Sequence, residues 1–203
     1  NSRGKNSPNT QEVTDLAGEE YNSYWGWQNG KKRNSRDKDV EEPILMLSHY
    51  WKINDKTSLN TNVAYQFGSI GNSRLDFNGA ANPDPTYYRN LPSYFSTNGA
   101  TAEVIDGQRN FFLSNRQINW DAIYYGNTEA VTNSDNIEIG RRSKESGTIL
   151  YEDRTDDKQW TVSSILNSQL SDNIILNAGG TYRKLRSQNF QNVLDLLGGS
   201  FYS

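Results

Sequence analysis

Residues 50–68 read "YWKINDKTSLNTNVAYQFG". From Leu59 onward every second residue is apolar or half-polar: Leu59, Thr61, Val63, Tyr65 and Phe67. Asn60, Asn62, Ala64, Gln66 and Gly68 stand between them. A period of two with contrasting faces is the pattern of a β-strand. Just before it, Asn54, Asp55 and Lys56 predict a three-residue polar turn, a common hairpin connection. The fold then depends on which solvent each face meets. A soluble sandwich turns the apolar face inward onto a second sheet. A membrane barrel turns it outward to lipid and leaves the polar face to a watery lumen.

The same plan recurs further on. "INDKTSLNTNVAYQ" at 53–66 matches "LSDNIILNAGGTYR" at 170–183. Asp55 corresponds to Asp172, Leu59 to Leu176, Asn60 to Asn177 and Tyr65 to Tyr182, all at one constant offset. With a turn at 54–56, Ile53 faces Thr57, Trp51 faces Leu59, His49 faces Thr61 and Leu47 faces Val63. With a turn at 171–173, Leu170 faces Ile174, Ser168 faces Leu176, Leu166 faces Ala178 and Val162 faces Tyr182. In both hairpins apolar residues oppose one another, as a shared face requires. The second hairpin's other face is polar, Ile165 and Ile175 excepted. These patterns predict strands over about 40–53, 58–70, 158–170 and 174–189.

Between the hairpins lies a long interval, 72–157, far beyond the six or so residues of an ordinary connection. Within it, "QINWDAIYYGN" at 117–127 predicts a short helix capped by Asn119 and ending near Gly126. Short turns at one end and a long loop at the other are a barrel's asymmetry. Residues 58–68, at about 3.3 Å each, run roughly 36 Å, or about 25 Å of height at a 45° tilt, the height of an apolar membrane band. Trp51, Tyr65, Trp160 and Tyr182 lie near hairpin ends, where aromatic girdles belong.

Composition narrows the function classes. Only 33% of the 203 residues are hydrophobic, yet 12% are aromatic, so the chain lacks the aromatic-poor profile of a disordered one. A net charge of -3 argues against nucleic acid, which recruits clustered Lys and Arg. There is no cysteine, hence no disulfide framework and no thiolate metal site. The longest clean apolar run is "ILML" at 44–47, well short of the roughly 20 residues of a membrane helix. No G-x-S-x-G elbow, H-E-x-x-H helix or phosphate loop occurs, so neither an enzyme nor a cofactor is expected. The single histidine, His49, falls on the apolar face and reads as structural. The pairs Glu41–Glu42, Glu152–Asp153 and Asp156–Asp157 lack EF-hand spacing and read as solvated, so no metal is expected. The basic residues Lys31, Lys32, Arg33, Arg36 and Lys38 read as a solvated loop, with anionic lipopolysaccharide as the alternative partner.

The best ligand candidates are Tyr87, Tyr88, Tyr94 and Phe95. Pro83, Pro85 and Pro92 stiffen the backbone around them, which lowers the cost of ordering it. Such aromatics can stack on sugars or hold a peptide. They can equally pack the loop onto itself.

The sequence also resembles a known family. "WGWQNGKKRNSR" (25–36), "EEPILMLSHYWKINDKTSLN" (41–60), "NPDPTYYRNLPSY" (82–94), "QINWDAIY" (117–124), "YRKLRSQNF" (182–190) and "DLLGGSFY" (195–202) resemble the barrel of TonB-dependent outer-membrane receptors. The similar receptors carry an N-terminal carboxypeptidase-regulatory-like domain. The resemblance implies an all-β fold: about four membrane strands of an antiparallel, 22-stranded transmembrane barrel, with residues 72–157 outside the cell. It implies import of a scarce nutrient (a glycan, peptide or metal chelate) across the outer membrane of a Gram-negative bacterium. The implied partners are a TonB-type energy-coupling complex acting through a plug, outer-membrane lipid, and a surface lipoprotein as a candidate. Neither plug nor TonB-contacting segment is found in these residues, so the chain is expected to be a segment of a longer receptor. Two other readings remain: a soluble carbohydrate-binding β-sandwich, and a structural or plug-like partner in an envelope secretion complex.

Overall fold

In the computed structural model, which describes residues 2–78 and 80–203, 52% of the chain is strand and 18% helix. The strands, mostly antiparallel, are β1 (Ser2–Gly4), β2 (Trp25–Gln28), β3 (Lys31–Asn34), β4 (Asp37–Glu41), β5 (Ile44–Asn54), β6 (Thr57–Asp76), β7 (Thr128–Thr132), β8 (Glu138–Ser143), β9 (Ile149–Ser171) and β10 (Ile174–Asp195). The helices are α1 (Gln11–Ala17), α2 (Pro92–Thr97), α3 (Ala102–Ser114) and α4 (Trp120–Gly126), with a 3-10 turn over Tyr88–Asn90. None is long and apolar enough to cross a membrane. A six-stranded sheet runs in the order β1-β4-β6-β9-β10, with β5 also paired to β6. Among the described residues it does not close on itself. The chain divides into two units. The first holds residues 39–71 and 153–190, the second 2–38, 72–152 and 191–203.

In the first unit, β5 and β6 pair antiparallel with Trp51 opposite Leu59, His49 opposite Thr61 and Leu47 opposite Val63, the register that alternation predicts. The turn differs from expectation. Only Asp55 and Lys56 lie between the strands, Asn54 pairs with Thr57, and Ile53 is bulged out. Neither turn residue has a positive φ. A two-residue turn of that hand splays its strands, and an added bulge residue restores the twist. The second turn is likewise two residues, Asp172 and Asn173, not the expected three. Asp55 and Asp172 thus occupy equivalent places in the two copies of the repeat.

The strand expected over 40–53 is interrupted. β4 ends at Glu41 and β5 begins at Ile44. Pro43 has no N–H to offer the ladder, although its carbonyl still accepts from Phe67 at 3.2 Å. Opposite the break lies Gly68, at φ 149°, where any Cβ would collide with the Glu41 carbonyl.

β6, β9 and β10 outrun their predicted ends, at 20, 23 and 22 residues. The interval expected as loop, 72–157, is therefore strand at both edges, and the connection proper is 77–148. Residues 68–76 and 149–157 carry no clean alternation, because apolar residues such as Ile70, Leu75, Ile149 and Leu150 are mixed with charged and small ones on both faces.

The connection is no open loop. All four helices, the β2–β3 hairpin and the β7–β8 hairpin lie in the second unit. Asn29–Gly30 turns the first of these hairpins with both φ positive, at 49° and 74°. That is the Asn-Gly chemistry of a primed turn. Among the described residues every buried hydrophobic side chain is in this unit. One core joins Ile118, Trp120, Ile123, Leu150 and Leu197, and another joins Val13, Leu91 and Phe112.

Candidate functional site

The four predicted ligand-contact residues come together. Tyr87 and Tyr88 meet edge-on at 4.8 Å between centroids, Tyr88 and Tyr94 at 5.6 Å, and Tyr94 and Phe95 at 5.6 Å. Edge-to-face rings at this spacing attract one another. The ladder is thus partly self-packed, one of the two roles the sequence left open. Tyr88 is nonetheless 52% exposed and presents ring surface outward.

Local chemistry holds the ladder in place. Asn82 accepts from the Asp84 N–H at 2.9 Å, and the Asp84 carboxylate accepts from both the N–H and hydroxyl of Thr86. These side chains fold the backbone onto itself as Asx turns do. Pro92 opens α2, where its missing N–H costs nothing. The next N–H, of Ser93, donates to Glu12 of α1 at 2.8 Å, and the Ser93 hydroxyl donates to the same carboxylate at 2.6 Å. A carboxylate is well placed at a helix N-terminus, whose free N–H groups and dipole favour negative charge. Leu91, Val13 and Phe112 bury together beneath.

Arg89 donates from Nε to the Tyr88 hydroxyl at 2.9 Å, and this bond pulls the phenol below its ordinary pKa. Hydrogen bonding to Tyr88 pushes the Tyr87 phenol up. Burial, with the Asp84 charge behind it, pushes the Tyr21 phenol well above its ordinary range, and its hydroxyl donates to the Arg116 carbonyl at 2.6 Å.

Three concavities surround Pro83. One of about 300 Å³ is walled by small residues, Ala80, Ala81, Ala122, Gly126 and Gly147. A second, of about 180 Å³, lies among Asp84, Asn90, Phe111, Asn115 and Gln117. A third, of about 140 Å³, is lined by Tyr24, Arg36, Leu75 and Phe77. Amides, aromatic faces, the Asp84 carboxylate and the Arg36 guanidinium thus line these concavities, groups that can hydrogen-bond and stack. Among the described residues no three carboxylate or histidine groups converge to hold a metal ion. His49 stands opposite Thr61 in the first unit.

Most of the basic run is engaged with other side chains. Lys32 lies over Trp25 at 4.3 Å and Arg36 over Tyr24 at 5.2 Å. Arg33 stacks on Trp120 at 4.5 Å and donates to Asp195 at 2.6 Å and to the Tyr124 hydroxyl at 3.2 Å. Burial alone would raise the Asp195 carboxyl. Bonds from Arg33, the Leu197 N–H and Tyr124 hold it below the usual range instead. Among the three acidic pairs expected to be solvated, Glu152 is instead buried and accepts from Asn192, and Asp156 accepts from Arg154.

Asn127 went unnoticed in the sequence. It is 1% exposed and fully bonded. Its amide nitrogen donates to the carbonyls of Thr148, Leu196 and Leu197, and its oxygen accepts from the N–H groups of Gly147 and Thr148. Nothing in "YYGNTEA" announces this, because all its partners are distant in sequence. α4 was legible: its cap Asn119 accepts from the Ala122 N–H at 2.9 Å, and the helix ends at Gly126. Gly26 was not; a Cβ there would strike the carbonyl of Ile118, just before that helix. No family model matches the sequence, and no curated protein matches it.

Proposed function

We propose that the first unit is a piece of transmembrane β-barrel wall, and that the chain belongs to a nutrient importer of the TonB-dependent kind in a Gram-negative outer membrane. One observation carries this reading. Among the described residues the first unit buries none of its hydrophobic side chains, and Leu45, Leu47, Leu170 and Tyr182 are each more than 60% exposed. An apolar face of that size is costly in water and at rest in lipid. The repeated residues favour the same reading, since Tyr65 stacks on Trp160 at 4.5 Å at one end of the apolar stretch, as a girdle residue would.

In this reading the second unit recognises ligand, with the outward ring of Tyr88 as a contact, and the protein performs no bond chemistry. Energy comes from a TonB-type complex acting through a plug, and a surface lipoprotein is the candidate partner in capture. The soluble-sandwich alternative requires Leu47 and Val63 to lie in a packed core.

The test uses the full receptor containing these residues, reconstituted in bilayers and carrying Val63→Arg, Asn62→Arg or Val63→Leu. Arginine at Val63 should cost roughly 2–4 kcal/mol in chemical denaturation, because it places charge in hydrocarbon. Arginine at Asn62, on the opposite face, should cost little. Val63→Leu should be near neutral, whereas a packed core loses about 1–3 kcal/mol on overpacking. Damage from Asn62→Arg with a silent Val63→Arg reverses the faces; equal damage from both Val63 changes ends the membrane reading.

A further inference from the structure

We propose that Lys158, Lys184 and Arg186 form a binding site for the phosphate of a membrane-lipid headgroup, at the aromatic end of the first unit's apolar face. The proposal rests on the membrane reading above. The register of the sheet supplies the geometry. Thr57 bonds Ser168, Thr61 bonds Ser164 and Tyr65 stacks on Trp160, so these six side chains share one face of β6 and β9. Tyr65 also stacks on Phe67 at 5.2 Å, and the same progression brings Phe67 opposite Lys158.

The next strand is fixed in the same way. A Cβ on Gly179 would touch the side chain of Ile165, and the Thr155 hydroxyl donates to Asn189 at 2.7 Å. Between those two pairs, Trp160 faces Lys184 and Lys158 faces Arg186. Tyr182, facing Val162, lies on the same surface. Lys158, Lys184 and Arg186 are all exposed. Among the described residues none of their side chains has a hydrogen-bond or ion-pair partner. The carboxylate nearest along that face, Asp156, is held by Arg154 at 2.8 Å.

Like charges directly opposite in a sheet repel, so Lys158 and Arg186 call for an anion between them. A guanidinium grips phosphate with two N–H bonds and an ammonium adds a point charge. The neighbouring Trp160, Val162 and Tyr182 are at least a third exposed and offer apolar surface for acyl chains. A lipid satisfies both requirements; a soluble phosphate satisfies one.

The full receptor containing these residues is reconstituted into phosphatidylcholine vesicles, with spin-labelled phosphatidylglycerol or phosphatidylcholine as reporter. The anionic lipid should be retained about tenfold more strongly at low salt, falling as salt screens the cluster. The triple change Lys158→Glu, Lys184→Glu and Arg186→Glu should abolish the preference. Arg183→Glu, on the opposite face, should preserve it, and inorganic phosphate should not displace the lipid. Equal retention of both lipids, or equal loss with Arg183→Glu, overturns the site, and displacement by inorganic phosphate reassigns it to a soluble anion. If Trp160 of the reconstituted full receptor stays open to an aqueous quencher, the membrane reading itself falls and the site falls with it.

Discussion

Leu47 and Leu197 are chemically identical, yet Leu47 is 70% exposed and Leu197 is 0% exposed. The first sits in a regular hairpin strand. The second sits at φ 51°, a backbone region leucine rarely enters, and is held there by the core around Trp120 and by the Asp195 carboxylate on its N–H. The contrast extends to the two units as wholes. One is a regular sheet in which none of the described hydrophobic side chains is buried. The other has short, irregular elements and places every buried hydrophobic side chain. Regular secondary structure and a hydrophobic core are separable. Backbone hydrogen bonds and cross-strand pairs suffice to define the first unit's geometry. The second depends on burial.

The sharpest break in this comparison is expected from truncating the same residue type in each unit. Trp120→Ala should destabilise the second unit by about 3–5 kcal/mol, since it empties a fully buried site and removes the bond from its indole N–H to the Arg33 carbonyl. Trp51→Ala in the first unit should cost well under half of that, because Trp51 is 51% exposed. Hydrogen exchange resolved by segment reads both. Equal losses would mean that the first unit also has a core.

Next in size is Asn127→Ala. The Thr148 and Leu197 carbonyls and two N–H groups lose the amide's bonds, while the Leu196 carbonyl keeps the Ser146 hydroxyl and the Gly199 N–H, so roughly 2–3 kcal/mol should go. Exchange should quicken near Thr148 and Leu197 together. Quickening at only one of them would show that the amide does not tie these strands into one structure.

A smaller effect concerns acid. Asp195 has its pKa lowered in the folded chain, so its contribution is present above the ordinary carboxylate range and is lost as pH falls through the lowered value. The pair is partly exposed, at 22% and 33%, which limits the contribution to about 1 kcal/mol. Arg33→Met should raise the Asp195 pKa and flatten this acid loss, read by carboxyl titration in NMR. An unmoved titration would show that Arg33 does not set it.

An effect on stability of similar size belongs to Tyr88→Ala, about 0.5–1.5 kcal/mol from lost ring contacts. If Tyr88 meets ligand, uptake should fall far more than stability does. Parallel small losses would leave the ladder a packing device. Deleting the whole ladder segment is a poorer probe, because Leu91 and Pro92 are buried.

The sequence by itself determined what depends on near neighbours. Alternation and turn position set the pairs from Trp51–Leu59 to Leu47–Val63, because a one-residue slip would exchange the faces of a whole strand. Asn119 marked the start of α4, because a cap reaches only three residues onward. The spacing of Tyr87, Tyr88, Tyr94 and Phe95 marked an aromatic cluster but left its role open. Tertiary structure decided the rest. Strands continue through 68–76 and 149–157 because a paired neighbour there supplies ladder bonds that side-chain pattern does not encode. Trp120 found Leu197, Asn127 found Thr148 and Arg33 found Asp195 across long stretches of chain. Burial rewards whichever apolar surfaces the folded backbone brings together, and a buried polar group must take its partners from that same arrangement, so neither is written in any local stretch.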